Sequence, residues 1–141
     1  MSIPPFSIFS AISELFVTAA VFYMVRLNWT RRPFPLPLFI GVALFEAFVN
    51  VVYMARRASH AAVGTDVISP TMKILFAAHG MLSLLAYLVF VILAVFAWQD
   101  QRAGRFYFRD RPALTWAFLA VWTVSVGSGE VLFALRYLVQ R

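Results

Sequence analysis

Four apolar runs, each long enough to cross a bilayer as a helix, take up most of this chain. A hydrocarbon core about 30 Å thick needs roughly 20 helical residues, and the runs at about 6–25, 36–55, 71–98 and 112–139 meet that length. Composition agrees: 62% of residues are hydrophobic, 13% are charged, and the mean hydropathy is +0.82. A soluble domain carries about 25% charged residues. The expectation is an integral membrane protein with one transmembrane domain over residues 1–141. Its fold class is all-α, an up-down four-helix transmembrane bundle, because short connections make neighbouring helices antiparallel.

The punctuation of the runs is clear. Pro4-Pro5 precedes the first, and Arg26 is read as its end. A basic, Pro-rich connection follows over 28–37. Residues 56–69 read as a polar loop containing His60, Gly64 and Asp66, and Ser69-Pro70 as an N-cap followed by Pro at the first helical position. The stretch 99–111 is the most charged connection, and Pro112 opens the last run. The N-terminus lacks a basic lead and its first run carries Glu14, so no separable signal peptide is expected.

Four spans put both termini on one side. The first and third connections hold seven basic residues, Arg26, Arg31, Arg32, Arg102, Arg105, Arg109 and Arg111, against five on the termini side. The positive-inside rule then places the termini outside the cytoplasm. These bases flank span ends, so the net charge of +6 is read as topology signal and lipid-headgroup contact, with no nucleic-acid partner. The chain has no cysteine, which excludes disulfides, thiolate metal sites and iron–sulfur clusters.

Each span carries a polar stripe. The second run places Glu46, Asn50, Tyr53 and Arg57 on one helical face. The first offers Ser10, Glu14 and Thr18, and the third His79, Ser83 and Tyr87. The fourth offers Thr123, Gly127, Glu130 and Tyr137, with Trp122, Ser125, Gly129 and Arg136 beside them. At about 1.5 Å per residue, the three Glu and His79 share one slab roughly 10–17 Å below the termini-side surface. Gly127-Ser128-Gly129 at that level allows close helix approach or a kink.

Ser, Thr, Asn and Tyr in such stripes commonly just hydrogen-bond helices together. Three carboxyl groups ask for more. A charge at mid-membrane costs about 3 kcal/mol on insertion scales, so it faces a bundle interior or a cavity. Three carboxylates cannot all stay ionised in one low-dielectric slab without protons or a cation such as Arg57 or Arg136. Glu14, Glu46, His79 and Glu130 are therefore the candidate acid–base or proton-carrying residues, and Asn50, Tyr53, Ser83 and Tyr137 the candidate binding residues.

The chemistry of this set stays open. A bis-histidine haem needs a partner for His79, and only His60 is on offer. A ferritin-type di-iron centre needs paired Glu-x-x-His motifs, which are absent. One metal ion held by His79 and carboxylates, or a quinone, fits the residue types, and the sequence requires none of the three. A Glu/His set also suits a membrane isomerase or cyclase that protonates an apolar lipid or isoprenoid and removes a proton from it. Phosphate-loop, dinucleotide and nucleophile-elbow motifs are absent.

The C-terminal half reads His79-Gly-Met-Leu-Ser83, then Phe106-Tyr-Phe-Arg-Asp-Arg111, then Trp122-Thr-Val-Ser-Val-Gly-Ser-Gly129 and Leu135-Arg-Tyr137. In these stretches the chain resembles the YozB-like family of small four-span membrane proteins. That resemblance implies an accessory or assembly subunit of a respiratory complex of haem–copper oxidase type, with other membrane subunits as partners. The family has further histidines, one of them in the basic loop, where this chain has Arg and Asp. Only His79 carries over. The leading expectation is such a subunit, with the Glu/His set handling protons, a metal or a quinone. The alternative is the isomerase or cyclase, and the third reading a purely structural subunit.

Overall fold

The computed structural model describes residues 3–62 and 68–139, and the side chains of 60–62 lie outside the description, as do Gly64 and Asp66. The described residues form five helices: α1 Pro5–Trp29, α2 Leu36–Ala62, α3 Pro70–Arg102, the single turn α4 Tyr107–Asp110, and α5 Pro112–Ala134. A π-helical turn, Leu135–Val139, completes the last span. Four of these segments are long and apolar enough to cross a membrane.

The long helices form a ring in which each touches its two sequence neighbours and α5 closes against α1. Side-chain hydrogen bonds tie the ring. Tyr87 on α3 donates to the Ala43 carbonyl of α2 at 2.9 Å, and Trp122 on α5 donates to Thr18 on α1 at 3.2 Å. Long apolar side chains such as Phe16, Leu44, Phe48, Ile74 and Met81 stand exposed on the outer faces. In water such a surface would be a docking or aggregation site, whereas in lipid it faces tails as apolar as itself.

The helices run further than the charges suggest. Arg26 does not end α1, which continues to Trp29, and a cation in the last turn suits the negative end of the helix dipole. Residues 56–62, expected in a loop, belong to α2. The guanidinium of Arg56 lies over the Phe6 ring and that of Arg57 over Phe76, so each charge has a resting place without the helix stopping. α3 runs through Arg102 because Asp100 pairs with Arg105 and Arg111 at 2.8 and 3.2 Å.

α1 and α3 end in the same way. The N–H of Arg32 reaches back to the Leu27 carbonyl and that of Arg31 to Asn28; the N–H of Arg105 reaches Asp100 and that of Gly104 reaches Gln101. This is the Schellman pattern, which needs a left-handed residue just past the helix. Gly104 supplies it at φ 73, and Arg31 at φ 60.

The core sits in the half of the bundle nearest these two connections. Val21, Met24, Phe90, Ala94, Phe108 and Phe118 are buried there, with Phe90 edge-on to Phe39 and Trp122 and stacked on Phe118. Polar groups among them are matched to the connecting backbone. Asn28 accepts from the Phe108 N–H at 2.9 Å, Gln101 accepts from the Phe34 N–H, and Thr115 donates to the Phe108 carbonyl at 2.7 Å.

Candidate functional site

The other half of the bundle is open. A cavity of about 830 Å³ lies between the first half of α1, the last half of α2, the first half of α3 and the end of α5 with its π turn. Glu14, Glu46, Asn50, Tyr53, His79, Ser83, Glu130 and Tyr137 all line it. The four stripes therefore meet because four antiparallel helices place equal depths side by side. Three carboxyl groups and one imidazole from four helices face one space.

His79 is held in a defined state. The Ser128 hydroxyl donates to the Ser125 carbonyl at 2.7 Å, which uses its only proton. Its contact with His79 Nδ1 at 2.9 Å is then a bond in which the ring donates. The neutral ring thus carries its proton on Nδ1 and presents a lone pair at Nε2. A Cβ on Gly129 would lie 2.8 Å from His79 Cε1, 3.1 Å from Nε2 and 3.5 Å from Glu14 Oε2. Glycine at 129 is what lets the imidazole and the Glu14 carboxyl share that spot.

The other two carboxyls differ in their support. Asn50 donates to the Glu46 backbone carbonyl at 2.8 Å and reaches its Oε2 at 3.5 Å. Glu130 Oε1 is buried without a hydrogen-bond partner among the described residues. A buried oxygen of this kind calls for a water or a ligand group. Ser7 and Tyr137 meet at 3.2 Å near the termini-side end, joining α1 to the π turn.

Some stripe members fall elsewhere. Thr18 and Tyr87 bond between helices outside the cavity, and Thr123 is exposed and donates back to the Leu119 carbonyl at 2.7 Å. Gly127 has open space where a Cβ would go, so the close approach belongs to Gly129 alone. The haem reading placed His60 beside His79, and the His60 side chain lies outside the described residues. Among the described residues no three His, Asp or Glu side chains converge as metal ligands. The sequence reading missed Ser128, the partner of His79, and Phe76, which stands at the mouth between Arg57 and Arg136. Both read as ordinary span residues; an aromatic one turn from Lys73 at the start of its span was the available signal for Phe76.

Fold and cavity together define a multi-pass membrane protein with an acid-lined internal site. No protein-family model, no curated protein and no solved structure matches the chain.

Proposed function

We propose that the protein takes an apolar, lipid-soluble small molecule into this cavity and moves protons on and off it, as a membrane isomerase or cyclase does. The convergence of Glu14, Glu46, Glu130 and His79 on one space of about 830 Å³ carries the reading. Ligand pockets run from about 300 to 1,000 Å³. A carboxylic acid, with Glu14 the first choice, gives its proton to an alkene carbon. That leaves a cation on the second alkene carbon, and the lone pair of His79 Nε2 takes a proton from the carbon on its far side. The double bond moves, atoms balance, and no co-reactant is needed. Proton return from imidazole to carboxyl through the cavity resets the pair.

The test is deuterium washing. The protein in non-ionic micelles is incubated in D₂O with a total lipid extract of its own membranes, and the lipids are weighed by mass spectrometry. Wild type should place deuterium in one apolar lipid, and Glu14→Gln and His79→Ala should abolish this with normal folded yield. Labelling by His79→Gln at the wild-type rate would reduce His79 to a helix-tying hydrogen bonder. The absence of any wild-type labelling would defeat the proposal.

The respiratory-subunit reading is favoured by one observation: His79, the one residue that the resemblance carries over, lines the cavity. There the same set would relay protons or hold a quinone head, and retrieval of oxidase subunits with the tagged protein is its test. For orientation we keep the seven-to-five base count, which puts both termini and the cavity mouth outside the cytoplasm. Tags at Ser2 and Arg141 should be reachable in intact cells, and labelling only after lysis would reverse the assignment.

A further inference from the structure

The mouth of the cavity is built unlike its floor. Arg57 from α2 lies 4.6 Å over the Phe76 ring, and Arg136 from the π turn lies 5.5 Å from the same ring centre. Arg56 lies 4.9 Å over Phe6. All three arginines and both rings line the cavity. Stacking holds the Arg57 guanidinium by its face, and its edge, which donates to the Tyr53 hydroxyl at 3.4 Å, carries further N–H groups for an anion. Neither Arg56 nor Arg57 has a carboxylate partner among the described residues, where the ion pairs are those of Asp100 at the far end of the bundle.

From this division of charge we propose that the ligand is an amphiphile with a phosphate-class anionic head, seated at Arg57, Arg136 and Phe76, and with its apolar tail directed at the carboxyls and His79. The inference rests on the proposed reading of the cavity and adds the head group to it. Orientation follows from charge: the guanidinium groups of the mouth attract an anion, and the carboxyl-lined floor offers it no cation. Guanidinium forks match phosphate oxygens in pairs. By helical rise His79 lies roughly 5 Å below Phe76, and Glu46 roughly 16 Å below Arg57. The reacting atoms would thus lie in the tail, clear of the head.

The wall between α2 and α3 gives the tail a way in. Met54, Met81 and Leu84 line the cavity there and are 51%, 75% and 53% exposed in all. Two of the three are methionines, unbranched and easily rearranged. Gly80 faces Met54 across this seam, where a Cβ would meet Met54 Cε in ordinary contact at 3.7 Å.

The test compares dodecyl phosphate, dodecanol and inorganic phosphate as ligands of the whole protein in maltoside micelles, by titration calorimetry. Dodecyl phosphate should bind about tenfold or more tighter than dodecanol, the factor expected from hydrogen bonds to charged groups. Arg57→Gln combined with Arg136→Gln should remove that advantage and leave dodecanol binding unchanged. Arg57→Lys, which keeps the charge and loses the fork, should retain part of it, so a folding defect is recognisable. Equal binding of dodecyl phosphate and dodecanol would overturn the head-group assignment and leave the cavity reading standing. Failure of both tailed probes would overturn the cavity reading itself. Inorganic phosphate binding as tightly as dodecyl phosphate would make the mouth a free-anion site and sink the amphiphile.

Discussion

The two halves of this bundle solve opposite problems with the same four helices. Near the first and third connections, aromatic rings fill the interior, and Asn28, Gln101 and Thr115 each bond the backbone of a connecting segment. Near the termini, the interior is a cavity whose carboxyls point at one another's space, and Glu130 Oε1 has no partner among the described residues. Each half leaves a buried polar atom without a partner among the described residues, Asn28 Nδ2 in the first and Glu130 Oε1 in the second, but the first sits in packed rings and the second on a cavity. The first half holds the helices at a fixed register, and that register is what keeps four acid–base groups on one cavity.

The largest expected effect breaks the packed half. Phe108 is 1% exposed and stacks on Phe118 while its N–H caps Asn28. Phe108→Ala should cost about 3–5 kcal/mol of stability, as large-to-small changes in tight cores do. Glu46→Gln or Ser83→Ala, in the cavity, should change stability by less than about 1 kcal/mol, because an open space leaves no new void. Thermal unfolding in micelles measures both. Similar losses in the two halves would erase the contrast drawn here.

A middle-sized effect tests how the cavity half holds His79. Gly129→Ala puts a methyl 2.8 Å from an imidazole already pinned to Ser128. The ring must swing away, at about 1–3 kcal/mol for an overpacked site. The signature is local: the imidazole nitrogen resonances should lose the fixed Nδ1–H pattern, and deuterium washing should fall. Gly127→Ala, two residues away with nothing within 4 Å, should leave both unchanged. An unaltered imidazole spectrum in Gly129→Ala would mean that the Ser128 bond does not set the tautomer.

How much of this the sequence disclosed follows from which quantities are local. Depth is local, since helical rise is fixed, and counting residues from span ends was enough to direct Glu14, Glu46, His79 and Glu130 towards the one cavity that they line. Rotation of a helix about its axis depends on the neighbours. Thr123 was therefore expected beside Glu130 and instead faces outward, and Ser128 was not recognised as the partner of His79. Span ends misled for a third reason. Hydropathy treats Arg56-Arg57 as a stop, but ring faces from other helices, Phe6 and Phe76, let α2 continue to Ala62. The same long-range contacts created the cationic mouth, which the sequence displayed only as separate span-flanking charges.

The smallest effect sharpens the picture of the packed half. α1 and α3 stop with the same pair of backbone bonds, but one uses Gly104 and the other Arg31, at φ 73 and 60. A side-chain-bearing residue in the left-handed region costs about 1–2 kcal/mol, which glycine does not incur. The chain tolerates it because the segment is held from several sides: Arg109 donates to the Trp29 carbonyl at 3.2 Å, Phe34 donates to Gln101, and Asn28 accepts from Phe108. Arg31→Gly should therefore raise stability by up to about 1 kcal/mol, part of the gain being lost to the greater freedom of glycine in the unfolded chain. Gly104→Ala should lower it by a similar amount. Both are read as shifts of the unfolding midpoint in micelles, with tailed-probe binding unchanged because the cavity lies in the other half. A loss of stability in Arg31→Gly would show that the arginine side chain stabilises this end by more than its backbone conformation costs.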